Sequence, residues 1–103
     1  MTHGWTLIDG AERHRQYPTT FEVPGGEDIR GLVVGDYVKL GFETVHPKPN
    51  APSGERMWVK VTRTEGGFEG TLANEPAFLN DLPHHGMAVT FEARHILAIE
   101  IAH

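Results

Sequence analysis

RMWVKVTRTEGGFEGTLANEP, residues 56–76, reads as two β-strands joined by a tight turn. Met57, Val59 and Val61 alternate with Trp58, Lys60 and Thr62, the period-two pattern of a strand with one buried and one open face. Glu65, Gly66 and Gly67 follow, and glycine tolerates the positive φ that a tight reversal requires. The chain then returns through Phe68, Gly70 and Leu72.

Upstream of this hairpin, Val38, Leu40 and Phe42 alternate with Tyr37, Lys39 and Gly41, which predicts a strand of about eight residues beginning near Gly35. The intervening HPKPNAPSGE, residues 46–55, carries three prolines and is a loop. Downstream, Asn74-Glu75-Pro76 opens a connection through Phe78 and Leu79 to Leu82, and Pro83-His84-His85-Gly86 is a turn. A strand over 88–92 points Val89 and Phe91 inward. A 3₁₀-type turn over 93–95 leads to a last strand, Leu97 to Ile101. Five short strands separated by turns predict a mainly β domain over residues 32–103. The expected form is a small SH3-like barrel or half-barrel, because closure removes the exposed edges that an open five-stranded sheet would keep.

Residues 1–31 are expected to form an arm packed on that barrel. Asp9-Gly10-Ala11-Glu12 has the spacing of a helix start, with Asp9 as cap and Glu12 reaching back, and Pro18 should stop the helix within two turns. Thr19 to Val23 reads as a short extended piece ended by Pro24-Gly25-Gly26, and Glu27 to Leu32 as one helical turn presenting Ile29 and Leu32.

The 103 residues fit one domain able to bury roughly 65% of its unfolded surface. With no cysteine there are no disulfides, thiolate metal sites or cysteine nucleophile, as suits a reducing cytoplasm. The run Trp5 to Ile8 is too short for a signal peptide, and no stretch approaches the ~20 apolar residues of a membrane span. A net charge of -5 argues against general affinity for nucleic acid. Charge is unevenly spread, however: residues 32–64 carry a local +2 and residues 65–103 a local -5.

Leu32, Gly35, Val38 and Leu40 are echoed by Leu82, Gly86, Val89 and Phe91, with the same spacing from glycine to valine. Each set describes a turn glycine feeding a twisted strand whose alternate residues enter one core. Five stretches carry a family resemblance: YPTTFEVP from Tyr17, VGDYVKLGFE from Val34, GERMWVKVT from Gly54, GTLANEP from Gly70 and VTFEARHI from Val89. With these the chain resembles the bacterial domain of unknown function 2314 family, over some eighty residues. The resemblance implies a compact, mainly β domain and supplies no catalytic residues. Where it leads one to expect Gly-Asp before the strand at Val89, this chain has Gly86-Met87.

Seven histidines raise a metal hypothesis, with His84 and His85 joined by His95 or His46 as ligands. No HxH or HExxH spacing supports it, so neither metal nor cofactor is expected; solvated turns account for these residues, with His95 capping the final turn. The one serine, Ser53, lies in the proline-rich loop without an activating turn. Gly25-Gly26 and Gly66-Gly67 lack the lysine or helix start of a phosphate loop.

Strand alternation instead gathers Tyr37, Lys39, Arg56, Trp58 and Lys60 on the face opposite the core, an aromatic and basic set suited to an acidic protein segment. The leading expectation is therefore a non-catalytic cytoplasmic interaction module. A small hydrolase or metal-dependent enzyme using the histidines is the alternative from another class, and a weak single-stranded nucleic-acid binder a third. The plainer account of Trp58 is that the arm covers it, since Trp5, Tyr17 and Phe21 also need somewhere to pack.

Overall fold

A computed structural model describes residues 4–76 and 82–102. The expected connection through Phe78 and Leu79 lies outside them. In chain order the elements are β1 (Trp5–Leu7), α1 (Gly10–Gln16), α2 (Gly26–Arg30), β2 (Tyr37–Thr44), β3 (Gly54–Arg63), β4 (Phe68–Leu72), β5 (Ala88–Phe91), a 3₁₀ turn (Ala93–His95) and β6 (Ile96–Glu100). All strands pair antiparallel in one curled half-barrel sheet of order β1-β2-β3-β4-β5, with β6 also on β2. The five expected strands are present, and a sixth, β1, joins them from the arm.

β2 organises the sheet because it has three partners. One edge is taken by β3, and the other is shared by β6 along Tyr37 to Leu40 and β1 along Phe42 to Thr44. Bonds at the strand ends fix which residues face which side. Val61 N–H donates to the Asp36 carbonyl (2.8 Å) and Thr44 N–H to Ser53 (2.8 Å), whereas Ile8 N–H donates to Gly41 (2.9 Å). Antiparallel strands alternate between the two sides, so even-numbered residues of β2 bond β3 and odd-numbered ones bond β6 and β1.

Val38, Leu40, Phe42, Met57, Val59, Val61, Leu72, Val89 and Phe91 form the expected core, and Leu32, Leu82 and Ile96 complete it. Ile99 is partly buried against the cluster, and Ile101 is 50% exposed. Strict alternation along β6 fails because the register shifts between Lys39 and Leu40: Lys39 faces Ala98 but Leu40 faces Ile96. The extra residue resets the phase, as a bulge does, and brings both Ile96 and Leu97 inside.

The arm is seated by its helix. Asp9 caps α1, accepting from Glu12 N–H at 2.9 Å, and its carboxylate also meets Arg94 at 3.2 Å beside the 3₁₀ turn. Glu12 does not reach back, since its carboxylate is engaged by Arg15 and Gln16 within the helix. Gly10 lies so close to Leu97 that a Cβ would come within 2.6 Å of its Cδ2. Thr19 to Val23 does not form the expected extended piece throughout. Thr20 and Phe21 N–H both donate to the Tyr17 carbonyl, closing a turn before the chain runs on past β6.

The internal echo is matched bond for bond. Gly35 (φ 103°) and Gly86 (φ 86°) both adopt left-handed backbone. Gly35 N–H donates to Val61 and Val61 N–H to Asp36; likewise Gly86 N–H donates to Leu72 and Leu72 N–H to Met87. Even the next side chain corresponds, for Val33 N–H donates to Asp36 Oδ2 (3.1 Å) and His84 N–H to Met87 Sδ (3.2 Å). A thioether is a weak acceptor where the first turn uses a carboxylate. Met87 is 48% exposed, so replacing it forfeits little burial. Met87→Asp is expected to stabilise the domain by about 0.5–1.5 kcal/mol, read as a higher urea midpoint. Met87→Asn should gain part of this without adding charge beside Glu75. A lowered midpoint in both variants would show that acceptor quality does not limit this turn.

Candidate functional site

The register of β2 and β3 sets Tyr37 opposite Lys60 and Lys39 opposite Trp58, with Arg56 opposite Gly41. Their neighbours Val38, Leu40, Met57 and Val59 are buried, so the five expected residues share the outer face. They are not one patch. Tyr37, Trp58 and Lys60 line an open groove of about 770 Å³ with Asn74 and Glu100. Lys39 stands at its border, with Nζ 4.9 Å from the centre of the Trp58 ring. Arg56 lies beyond Lys39, its guanidinium 5.3 Å from the Phe21 ring, in a second recess of about 150 Å³ that Lys39, Thr20 and Glu22 help to line.

The arm's aromatic residues therefore go elsewhere than expected by the plainer account of Trp58. Trp5 meets Phe42 edge-on at 5.3 Å, Phe21 takes Arg56, and Tyr17 is 58% exposed. Trp58 is half-buried and forms part of the groove wall.

Two residues that the sequence did not single out shape the groove. Asn74 Oδ1 accepts from Trp58 N–H, while Ala73 N–H donates to the Trp58 carbonyl at 2.9 Å. The tryptophan backbone is thus held on the side away from β2. Asp36 is buried and accepts from Val33 N–H and, at 3.3 Å, from Ala102 N–H, which draws Ile101 and Ala102 in as a second wall. Asn74 lies within GTLANEP, and Asp36 directly follows a turn glycine and precedes a strand; both were visible as positions without a stated role.

Charge in the groove is nearly balanced, because Tyr37 faces Lys60 on one side and Glu100 on the other. Lys39 adds a cation at the border. Such a lining offers stacking on two aromatic rings and hydrogen bonds to an amide and an ammonium, the chemistry of recognition.

The described histidines do not converge on one site. Among the described residues, no group of three His, Asp or Glu side chains is placed to hold a metal. His84 Nδ1 pairs with Glu75 at 2.8 Å on the surface, His14 Nδ1 meets the Phe21 carbonyl at 2.7 Å, and His46 and His85 are exposed. The His84 ring is also the first cause of a lowered Glu75 pKa.

His95 is buried, and its Nδ1 accepts from Glu92 N–H at 3.0 Å, closing the 3₁₀ turn from within. That bond requires an unprotonated Nδ1. Burial, then the neighbouring Arg94 charge, pushes the His95 pKa below 6.5. The unfolded chain accordingly binds a proton before the folded one does, so the contribution of His95 is present above pH ~6.5 and is lost as pH falls through the folded value. Unfolding midpoints between pH 7.5 and 5.5 should fall more steeply for the native chain than for His95→Asn, whose amide oxygen can still accept. Equal slopes would remove His95 as the cause.

Compared with known family models, curated proteins and solved structures, the chain matches none of them.

Proposed function

We propose that this chain is a non-catalytic interaction module that binds an acidic segment of a protein partner in the Trp58 groove. The observation that carries the proposal is the Trp58 ring, bordered by the Lys39 ammonium and set beside Tyr37 and Lys60 in an open groove. A central aromatic anchor supplies affinity, and ammonium groups at the rim supply association rate and salt dependence. Arg56, committed to Phe21, stands outside the contact. A cytoplasmic setting and membership of the bacterial domain of unknown function 2314 family belong to the same reading, the first supported by the absence of cysteine and the second by the five quoted stretches.

The test is a titration of isotope-labelled protein with short peptides that alternate glutamate and tyrosine. Glutamine analogues and oligothymidine serve as the other arms. Amide and indole shifts are expected at Tyr37, Trp58, Lys60 and Asn74 with the acidic peptide. Lys39→Glu combined with Lys60→Glu should weaken binding about tenfold while moving stability by less than about 1 kcal/mol, since exposed charges contribute little to folding. Trp58→Ala should abolish binding. Equal binding of the glutamine analogue, or tighter binding of oligothymidine, would overturn the assignment of an acidic protein segment. A loss of several kcal/mol in Trp58→Ala, with binding intact in the charge reversals, would make Trp58 a packing residue.

A further inference from the structure

A second groove, of about 650 Å³, runs along the outer edge of β6; it shares only Ile101 with the lining of the Trp58 groove and differs from it in charge. One wall is Leu97, Ala98, Ile99 and Ile101; the other comes from the arm, with Glu22, Glu27 and Asp28 along its rim. The odd-numbered residues of β2 bond to Ala98 and Glu100, so Ile99, which faces Val38, directs its own N–H and C=O away from β2 and into the groove. Among the described residues, no backbone bond from the arm crosses to this edge. Pro24 on the opposite wall has no N–H to offer.

An unpaired edge flanked by apolar side chains is a template for another strand. Five residues from Leu97 to Ile101 span about 16 Å at roughly 3.3 Å per residue, room for an extended segment of similar length. The lining contains three carboxylates and no cation; Glu22 also borders the recess of Lys39 and Arg56, which leaves Glu27 and Asp28 as the carboxylates farther from those cations. Carboxylates on the rim oppose pairing with β6 of a second copy, which brings the same charges. They favour a segment that alternates apolar residues with lysine or arginine.

We infer that β6 accepts an extended basic segment of a protein partner as an added strand, bonded to the Ile99 backbone and flanked by Glu22, Glu27 and Asp28.

The test uses the whole chain, isotope-labelled, and the capped peptide Lys-Val-Lys-Val-Lys-Val. Binding should slow hydrogen exchange at Ile99 N–H at least tenfold and shift the amides of Val23, Leu97 and Ile99. The glutamate counterpart should not bind. A copy of the lysine peptide N-methylated at alternate residues on its bonding edge should bind at least tenfold more weakly, because the added strand needs its own N–H groups. Glu22→Lys, Glu27→Lys and Asp28→Lys together change only exposed side chains and should weaken the lysine peptide at least tenfold. Equal binding by the methylated peptide would reduce the effect to charge adhesion and overturn the inference. So would peptide shifts confined to the Trp58 groove, absence of binding, or Ile99 protection that rises with protein concentration when no peptide is present. A Trp58 groove that fails its own test leaves these outcomes readable, since the two probes carry opposite charge.

Discussion

Replacing Phe42 by alanine is expected to cost about 3–5 kcal/mol, the largest loss available from one side chain in this core. Phe42 is completely buried on β2, in register with Leu7 of β1 and Glu55 of β3, and its ring meets Trp5. Truncation therefore opens a cavity and removes the surface on which β1 rests. Against a total stability on the order of 5–15 kcal/mol, the melting temperature should fall by well over 10 °C at about 4–8 °C per kcal/mol. Trp5→Ala should add less in the Phe42→Ala background than in the native chain, because the ring contact has already gone. Urea unfolding of the single and double variants measures both quantities. A loss below about 1 kcal/mol would mean that Phe42 is not central to the core.

Gly70→Ala is the second large effect, and it acts through crowding. Gly70 sits in β4 between Val61 and Val89, and a Cβ there would come within 2.4 Å of Val59 Cγ1 and 2.5 Å of the Lys60 carbonyl. The Val59 methyl can rotate; the carbonyl belongs to the neighbouring strand and cannot move without opening the pair. Overpacking of this kind costs about 1–3 kcal/mol and occasionally more. Separation of β3 from β4 also strains the bonds that Ala73 and Asn74 make to the Trp58 backbone, so groove binding should weaken beyond what the stability loss explains. Gly31→Ala is the control: its φ of -83° suits alanine, and a Cβ there would meet nothing closer than 3.5 Å. A native-like midpoint for Gly70→Ala would show that the strands yield more readily than their backbone bonding implies.

Much of this architecture could be read from local pattern. The alternation in Met57, Val59 and Val61 chose the buried face correctly, and with it the outward placement of Tyr37, Lys39, Trp58 and Lys60. β1 was not legible because three residues are too few to show a period, and its pairing with Phe42 to Thr44 is supplied by a distant segment. Thr19 to Val23 has the composition of a strand, but the Tyr17 carbonyl captures the N–H groups of Thr20 and Phe21. Arg56 follows the same alternation as Trp58, yet Phe21 draws it into the recess. Asn74 and Asp36 act through the backbone of other segments, a role that residue type alone does not disclose. The quoted stretches GERMWVKVT and GTLANEP prove to be partners across β3 and β4, with Gly70 allowing the close approach and Asn74 holding Trp58.

β2 has a consequence for the order in which the molecule is made. Its first half rests on β6, and sixty-odd positions separate Tyr37 from Glu100. A ribosome adding 5–20 residues per second emits that stretch in about 3–12 s, far longer than the microseconds in which a hairpin forms. The β2–β3–β4 meander can thus assemble while the Tyr37–Leu40 half of the odd-numbered edge of β2, which β1 does not cover, stands open to any passing strand. During those seconds the nascent chain carries an adhesive edge that the finished protein does not, and a holding chaperone on the emerging polypeptide would have its greatest effect between the synthesis of Thr44 and that of Ile96.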